Sequence, residues 1–298
     1  MTTSPAKPSR DLPSPPPRPQ AASKRDFGRV LVVGGSLGMA GAPALAASAA
    51  LKSGAGLVEA IVPEPVVVIA AGFDPCVMTR GLAATPAGTF AAGATAEISR
   101  AVGRASAVAI GPGLGRSAEV AALVATLWRE LEIPAVFDAD ALWAVSLLDP
   151  AARRAHAGPR VVTPHAGEML RLAGRDPSGP QATDRDELCR LARGFAAESG
   201  AVVVLKGAGT LVVGAGREAV NETGNPGMAT AGTGDVLTGV VAALLAQGME
   251  PFAAARLAVW VHGAAGDAAA ADLGEISLTA RDLLERLHVG FRAATVLP

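Results

Sequence analysis

The 298-residue chain has no tyrosine, and Phe and Trp bring its aromatic content to only 3%. So few rings exclude the stacking platforms that hold single-stranded nucleic acid. Neither sign of charge is in excess: 26 Lys and Arg face 27 Asp and Glu, for a net charge of -1. That balance excludes non-specific binding to a phosphate backbone. The two cysteines, Cys76 and Cys189, stand far apart and show no Cys-x-x-Cys or Cys/His spacing. A zinc framework and a disulfide scaffold are thereby excluded, and a reducing cytoplasm fits best. Residues 30–51 carry no charge and are long enough to span a bilayer. However, Gly34, Gly35, Ser36, Gly38, Gly41 and Pro43 interrupt them. A strand, a glycine turn and a helix are expected there, with no membrane span. Seven prolines precede Gln20, and no apolar core of a signal peptide is visible.

Half of the residues are apolar, enough to bury the core of one large α/β domain. Residues 1–23, rich in Pro and Ser, lack periodicity and predict a disordered tail. Residues 24–298 predict one domain. Short apolar runs at 29–33, 57–62, 105–110, 135–137, 161–163 and 201–205 read as strands. Residues 41–53, 117–131, 235–246, 252–272 and 279–287 read as helices. The alternation predicts an α/β fold with a mostly parallel central sheet flanked by helices on both faces. Polar residues follow the strands: Gly34, Gly35 and Ser36; Gly111, Pro112 and Gly113; Asp138; His165; Lys206. The carboxyl ends of parallel strands form the ligand crevice of such sheets, so these segments predict one site.

The most informative motif is residues 225–235, NPGMATAGTGD, ahead of an apolar helix. A Gly-Thr-Gly turn into a helix offers free N–H groups and a dipole that favour a phosphate. Asp235 at that mouth reads either as the base that deprotonates a hydroxyl attacking phosphorus or as an N-cap. Residues 206–210, KGAGT, lack the P-loop order. They read as a hairpin turn with an exposed Lys, or as a nucleotide-holding turn whose Lys206 neutralises phosphate charge. His165 and Glu168 share a strand-to-helix turn. His165 reads as a substrate contact, and Glu168 as an organiser of phosphate or of Mg2+-bound water, or as a dipole-favouring carboxylate. No metal ligand set is evident. Asp138 and Asp140 read as helix caps, and His262, on an apolar helix, as a packed histidine.

These segments together resemble the ADP- or ATP-dependent NAD(P)H-hydrate dehydratases, a family of ribokinase-like fold. The matches are residues 27–36 (FGRVLVVGGS), 38–42 (GMAGA), 53–58 (SGAGLV), 111–115 (GPGLG), 137–142 (FDADAL), 163–168 (TPHAGE), 205–210 (LKGAGT) and 225–235. They run in order over nearly the whole chain beyond the tail. The resemblance implies that Lys206, Gly207, Ala208, Gly209, Thr210 and Gly234 contact the adenine nucleotide. It implies that Ala42, Gly113, His165 and Asp235 line the site of the hydrated cofactor, with Asp235 the base. The family usually has Pro at position 166 and Gly at 231. Ala166 is therefore expected to loosen the turn at His165, and Ala231 to narrow the approach to the phosphate loop.

The implied activity is metabolite repair: dehydration of the S epimer of hydrated NADH or NADPH by phosphorylation of its hydroxyl and loss of phosphate. ADP, giving AMP, or ATP would be the donor, with Mg2+ on the nucleotide. A homotetramer in the cytoplasm, working beside a separate epimerase, is also implied. Two alternatives remain: a kinase of the same fold with a stable phosphorylated product, and a non-catalytic nucleotide sensor.

Overall fold

The computed structural model describes residues 11–178 and 184–295. Short runs of Val, Ile and Ala form strands because β-branched side chains fit a pleated, buried surface. They are β1 (Arg29–Val33), β2 (Leu57–Pro63), β3 (Met78–Leu82), β4 (Ala107–Ile110), β5 (Ala135–Phe137), β6 (Arg160–Val162), β7 (Val202–Leu205), β8 (Thr210–Gly214) and β9 (Arg217–Asn221). They build one nine-stranded sheet in the order β3-β2-β1-β4-β5-β6-β7-β8-β9. Pairing is parallel from β3 across to β7 and antiparallel from β7 through β8 to β9.

The helices are α1 (Gly41–Lys52), α2 (Val67–Ala71), α3 (Ala94–Val102), α4 (Ala118–Glu130), α5 (Asp140–Ser146), α6 (Pro150–Arg154), α7 (Ala166–Leu172), α8 (Arg185–Ser199), α9 (Thr233–Ala246), α10 (Pro251–Leu273) and α11 (Ala280–Thr295). Successive side chains of β1 point to opposite faces, and both faces are covered. Val30 and Val32 join the core under α1, α9, α10 and α11, while Leu31 and Val33 join that under α3, α4, α5, α7 and α8. Burial on both faces is why these strands are continuously apolar instead of alternating. The residues of 30–51 form β1, a glycine turn and α1, and among the described residues no helix is long and apolar enough to cross a membrane. Small residues let α1 and α9 touch at the backbone: a Cβ on Gly239 would lie 2.0 Å from the carbonyl oxygen of Ala46.

The expectation of disorder through residue 23 is corrected for residues 11–23. Leu12 is 7% exposed and belongs to the core beneath α10. Asp11 pairs with Arg256 of α10 at 2.9 Å. The Arg18 guanidinium lies 3.6 Å from the Phe27 ring centroid and donates to the Gly54 carbonyl at 3.0 Å. Mean composition misses this because one buried leucine and two charged anchors suffice to order a proline-stiffened segment, which has less conformational freedom to lose. Residues 1–10 lie outside the described residues. At the other end α11 runs to Thr295, well past the expected stop at 287.

Candidate active site

The loops after β1 and β4 are stitched together. Gly35 N–H donates to the Pro112 carbonyl at 2.8 Å, and the Ser36 hydroxyl to that of Gly113 at 2.8 Å. Gly113 has φ +65°, and a Cβ there would lie 2.7 Å from the Met39 carbonyl oxygen and 3.3 Å from the Ala42 Cβ. Two residues expected at the substrate, Ala42 and Gly113, are thus neighbours.

After β5 the chain makes a strained turn, with Ala139 at φ 50° and ψ -123°, a backbone region costly for a residue with a Cβ. The turn sends its two aspartates different ways. Asp140 accepts from Gly115 N–H at 2.9 Å and from Arg116 Nε at 3.0 Å, tying α5 to the β4 loop. Asp138 turns inward and is 1% exposed. Its Oδ1 accepts from Lys206 Nζ at 2.8 Å and its Oδ2 from the Thr238 hydroxyl at 2.7 Å. Neither aspartate is the N-cap of α5, which is Ala139. The helix-cap reading is corrected for both.

His165 is the N-cap of α7. Its Nδ1 accepts from Gly167 N–H at 3.1 Å and Glu168 N–H at 3.3 Å, and Glu168 Oε2 accepts from His165 N–H at 2.8 Å. This reciprocal box leaves Nε2 to carry the proton of a neutral ring. The imidazole itself is 61% exposed. Ala166 occupies the first helical position, where proline is favoured because no N–H is needed there and its φ is already helical. The box is formed with alanine at this position. Ala231 lies exposed in the turn before α9.

Lys206 follows β7 and sits at the start of the turn to β8, so the hairpin reading holds. The reading of an exposed side chain does not: Nζ points inward to Asp138 and lies 3.7 Å from Glu168 Oε2. Burial disfavours the Lys206 charge, but Asp138 and Glu168 outweigh it and raise its pKa. Burial likewise opposes the Asp138 charge, yet Lys206 and the hydroxyls of Thr238 and Thr163 hold it below the ordinary range. Glu168 is pushed up by burial, with Lys206 pulling the other way. Arg185 of α8, which the sequence did not single out, donates to the carbonyls of Leu205, Lys206 and Gly209 and braces the turn. Within the turn the Thr210 hydroxyl donates to the Gly207 carbonyl at 2.9 Å.

The last component is the start of α9. Gly232, at φ 92°, is its N-cap. The Thr233 hydroxyl lies 3.0 Å from the carbonyls of Met228 and Thr230. His262 of α10, held to about 4 by burial, is neutral and pairs through Nε2 with the Thr233 carbonyl at 2.8 Å. It is a packed histidine, as expected. A Cβ on Gly234 would lie 3.4 Å from Lys206 Nζ, so the ammonium sits directly beneath the helix mouth. Asp235 is in the first turn of α9 and is not its N-cap. Burial first, then the charge of Asp138, raise it to about 7, with Lys206 opposing and Glu168 and Asp140 adding. The strand-end crevice therefore gathers Lys206, Gly234, Asp235, Glu168 and Asp138, all of which the sequence placed at the strand ends or the α9 mouth, and adds Thr238. Among the described residues no three His, Cys, Asp or Glu side chains surround a possible cation.

A family model described as NAD(P)H-hydrate dehydratase matches residues 30–288. The chain is 45% identical over 273 residues to a bifunctional NAD(P)H-hydrate repair enzyme of Moorella thermoacetica, covering 91% of this chain and 51% of that one. It is 40% identical to an ADP-dependent (S)-NAD(P)H-hydrate dehydratase of Neisseria meningitidis, covering 91% and 89%. The chain thus spans about half the length of the bifunctional relatives it matches. Its structure superposes with a TM-score of 0.77 on the ADP/ATP-dependent NAD(P)H-hydrate dehydratase of Bacillus subtilis co-crystallized with ATP/Mg2+, at 28% identity and 95% coverage of both chains. The family match, the relatives and the superposition agree: the chain belongs to the NAD(P)H-hydrate dehydratase family and has a ribokinase-like fold.

Proposed function

We propose that the protein dehydrates the S epimer of hydrated NADH or NADPH, using ADP to give AMP and phosphate, or ATP in its place. The observation that carries this reading is the meeting of an ammonium, a helix N-terminus and a carboxyl raised to about 7 at one strand-end crevice. A phosphoryl group would lie over the N–H groups opening α9, with Lys206 neutralising its charge. Gly207, Ala208, Gly209 and Thr210 would hold the remainder of the nucleotide. Ala42, Gly113 and His165 would line the hydrate side.

Asp235 takes the proton of the substrate hydroxyl as its oxygen attacks the terminal phosphorus, and the bond from phosphorus to the nucleotide oxygen breaks. The hydroxyl, a poor leaving group, becomes a phosphate ester. The ring-nitrogen lone pair expels phosphate, and loss of a proton from the neighbouring carbon restores the reduced nicotinamide. A base with a pKa near the working pH suits this proton transfer. Mg2+ would neutralise the nucleotide phosphates. The residues fit an ion carried mainly by phosphates and water, as Mg2+ commonly is, because Asp138 is committed to Lys206. Glu168 would orient a bound water and not ligate the metal.

The test is turnover of hydrated NADH with Mg2+ and ADP or ATP, followed by the return of reduced-nicotinamide absorbance and release of free phosphate. A stable phosphorylated product would instead make it a small-molecule kinase. Bound nucleotide without turnover would make it a sensor. Two free cysteines, Cys76 and Cys189, support a reducing cytoplasm as its setting. A homotetramer, checked by light scattering, and a functional partnership with a separate epimerase complete the proposal.

A further inference from the structure

We propose that Asp138 is a positioning residue of the reaction: it fixes Lys206 beneath the mouth of α9 and presents an unneutralised share of negative charge to Asp235. The inference rests on the proposed phosphoryl-transfer reading and deepens it. Asp138 bridges two elements: Oδ1 accepts from the Lys206 ammonium at 2.8 Å and Oδ2 from the Thr238 hydroxyl at 2.7 Å, with the Thr163 hydroxyl also beside the carboxylate. Thr238 lies one helical turn beyond Gly234, so the carboxylate ties the hairpin turn after β7 to the same helix that opens over the phosphate. Glycines lie against both the carboxylate and the backbone of Asp138. A Cβ on Gly234 would lie 3.8 Å from Oδ2, and one on Gly111 would collide with the Asp138 carbonyl oxygen at 1.8 Å. A lysine with four rotatable bonds would otherwise sample many positions, and holding it in place removes that freedom before the nucleotide arrives.

The second role follows from the charges around Asp235. Asp138 and Asp140 reach it from the turn after β5 and the start of α5, Glu168 from α7, and Lys206 from the turn after β7. His262 on α10 is neutral. After burial, Asp138 is the largest influence keeping the Asp235 proton on. Removing that charge makes Asp235 a weaker base, because its ionised form is less penalised.

The experiment compares the full chain with Asp138→Asn, which is nearly isosteric. The acid limb of kcat/KM for hydrated NADH should move down by about one pH unit, and kcat should fall about 10- to 100-fold. Carboxyl chemical shifts of 13C-labelled aspartate should report the same downward move of Asp235 without any turnover. That readout survives even if hydrated NADH is not the substrate, so the two proposals fail separately. A folded Asp138→Asn in which Asp235 titrates as in the parent overturns the inference, as does one with parental kcat. Should Asp138→Asn not fold, Thr238→Val keeps the charge and frees one oxygen. It should lower kcat at least several-fold with little change in the KM for ADP, and an unchanged kcat overturns the positioning role.

Discussion

Asp235 and Lys206 differ in what their surroundings do to them: burial and Asp138 raise the pKa of the one, while, against burial, Asp138 and Glu168 hold the charge of the other. Asp235→Asn should fold, bind ADP at least as tightly as the parent, and lose about 100- to 10,000-fold in hydrate turnover. Turnover within a few-fold of the parent would return the base to another group. Its raised pKa also fixes a sign. The folded site disfavours the carboxylate, so stability falls as pH rises from about 4, the unfolded value, to about 7, the folded one. The Asn variant should therefore melt higher than the parent at pH 8, with the gap closing towards pH 4, in calorimetric scans at several pH values. Lys206→Ala should weaken nucleotide-dependent kcat/KM by about 1.5–3 kcal/mol. It should also melt lower, since it strands the buried Asp138 charge. Lys206 and Asp235 were legible because each follows a glycine-marked strand or turn. Asp138 was legible only by its place after a strand; its role was not, because an aspartate before a helix looks like a cap, and only the inward turn at Ala139 separates it from Asp140. Arg185 was hidden for a similar reason, since a charged residue starting a polar helix gives no sign that it reaches three carbonyls.

At the scale of elements, the sequence reading works where burial is two-sided. Strands β1, β2, β4, β5, β6 and β7 were each anticipated within a few residues, because a run of Val, Ile and Ala between breakers has few alternatives. β3, β8 and β9 escaped: MTRGL and REAVN are mostly polar or half-exposed, as edge strands are, while the buried TLVVG of β8 was taken up in the reading of the turn at 206–210. Helices α2, α3, α6 and α8 were missed because they are short or polar-faced, although Asp149 and Asp184 cap α6 and α8; α5 and α7 were anticipated only as helix starts after Asp138 and His165. The N-terminal segment makes the opposite case, where polarity suggested disorder and one leucine decided otherwise. Leu12→Ala should cost about 2 kcal/mol. Deleting residues 1–22 should lower Tm by about 5 °C or more, read by differential scanning calorimetry. A deletion with parental Tm would mean that Leu12, Asp11 and Arg18 contribute nothing to the folded state.

For the whole molecule, the open parallel sheet with helices on both faces follows from alternating strands and helices; the hairpin reading at 206–210 offered the antiparallel step from β7 to β8, and the further reversal to β9 was not foreseen. A reversal costs only a tight turn, and residues 206–209 were read for their chemistry as much as for their geometry. On the proposed reading a single carboxyl, Asp235, serves as base, and the proposed substrate is the S epimer. Given a mixture of epimers, the chain alone should therefore stop when the S form is exhausted, and added epimerase should restart it. Continued consumption of the R form by the purified chain would contradict that expectation; chiral chromatography of the residue measures it. The strand order carries a last consequence. From β1 through β4, β5 and β6 to β7, neighbours in space are also in chain order. At about 4.8 Å per step, the crevice becomes a ruler of roughly 19 Å whose graduations are read in the direction of translation. A substitution's position on that scale should forecast its kinetic signature. Changes beyond β1 and β4, and at His165 beyond β6, should register in the KM for the hydrate, those beyond β7 in the KM for the nucleotide, and Asp138 beyond β5 in kcat.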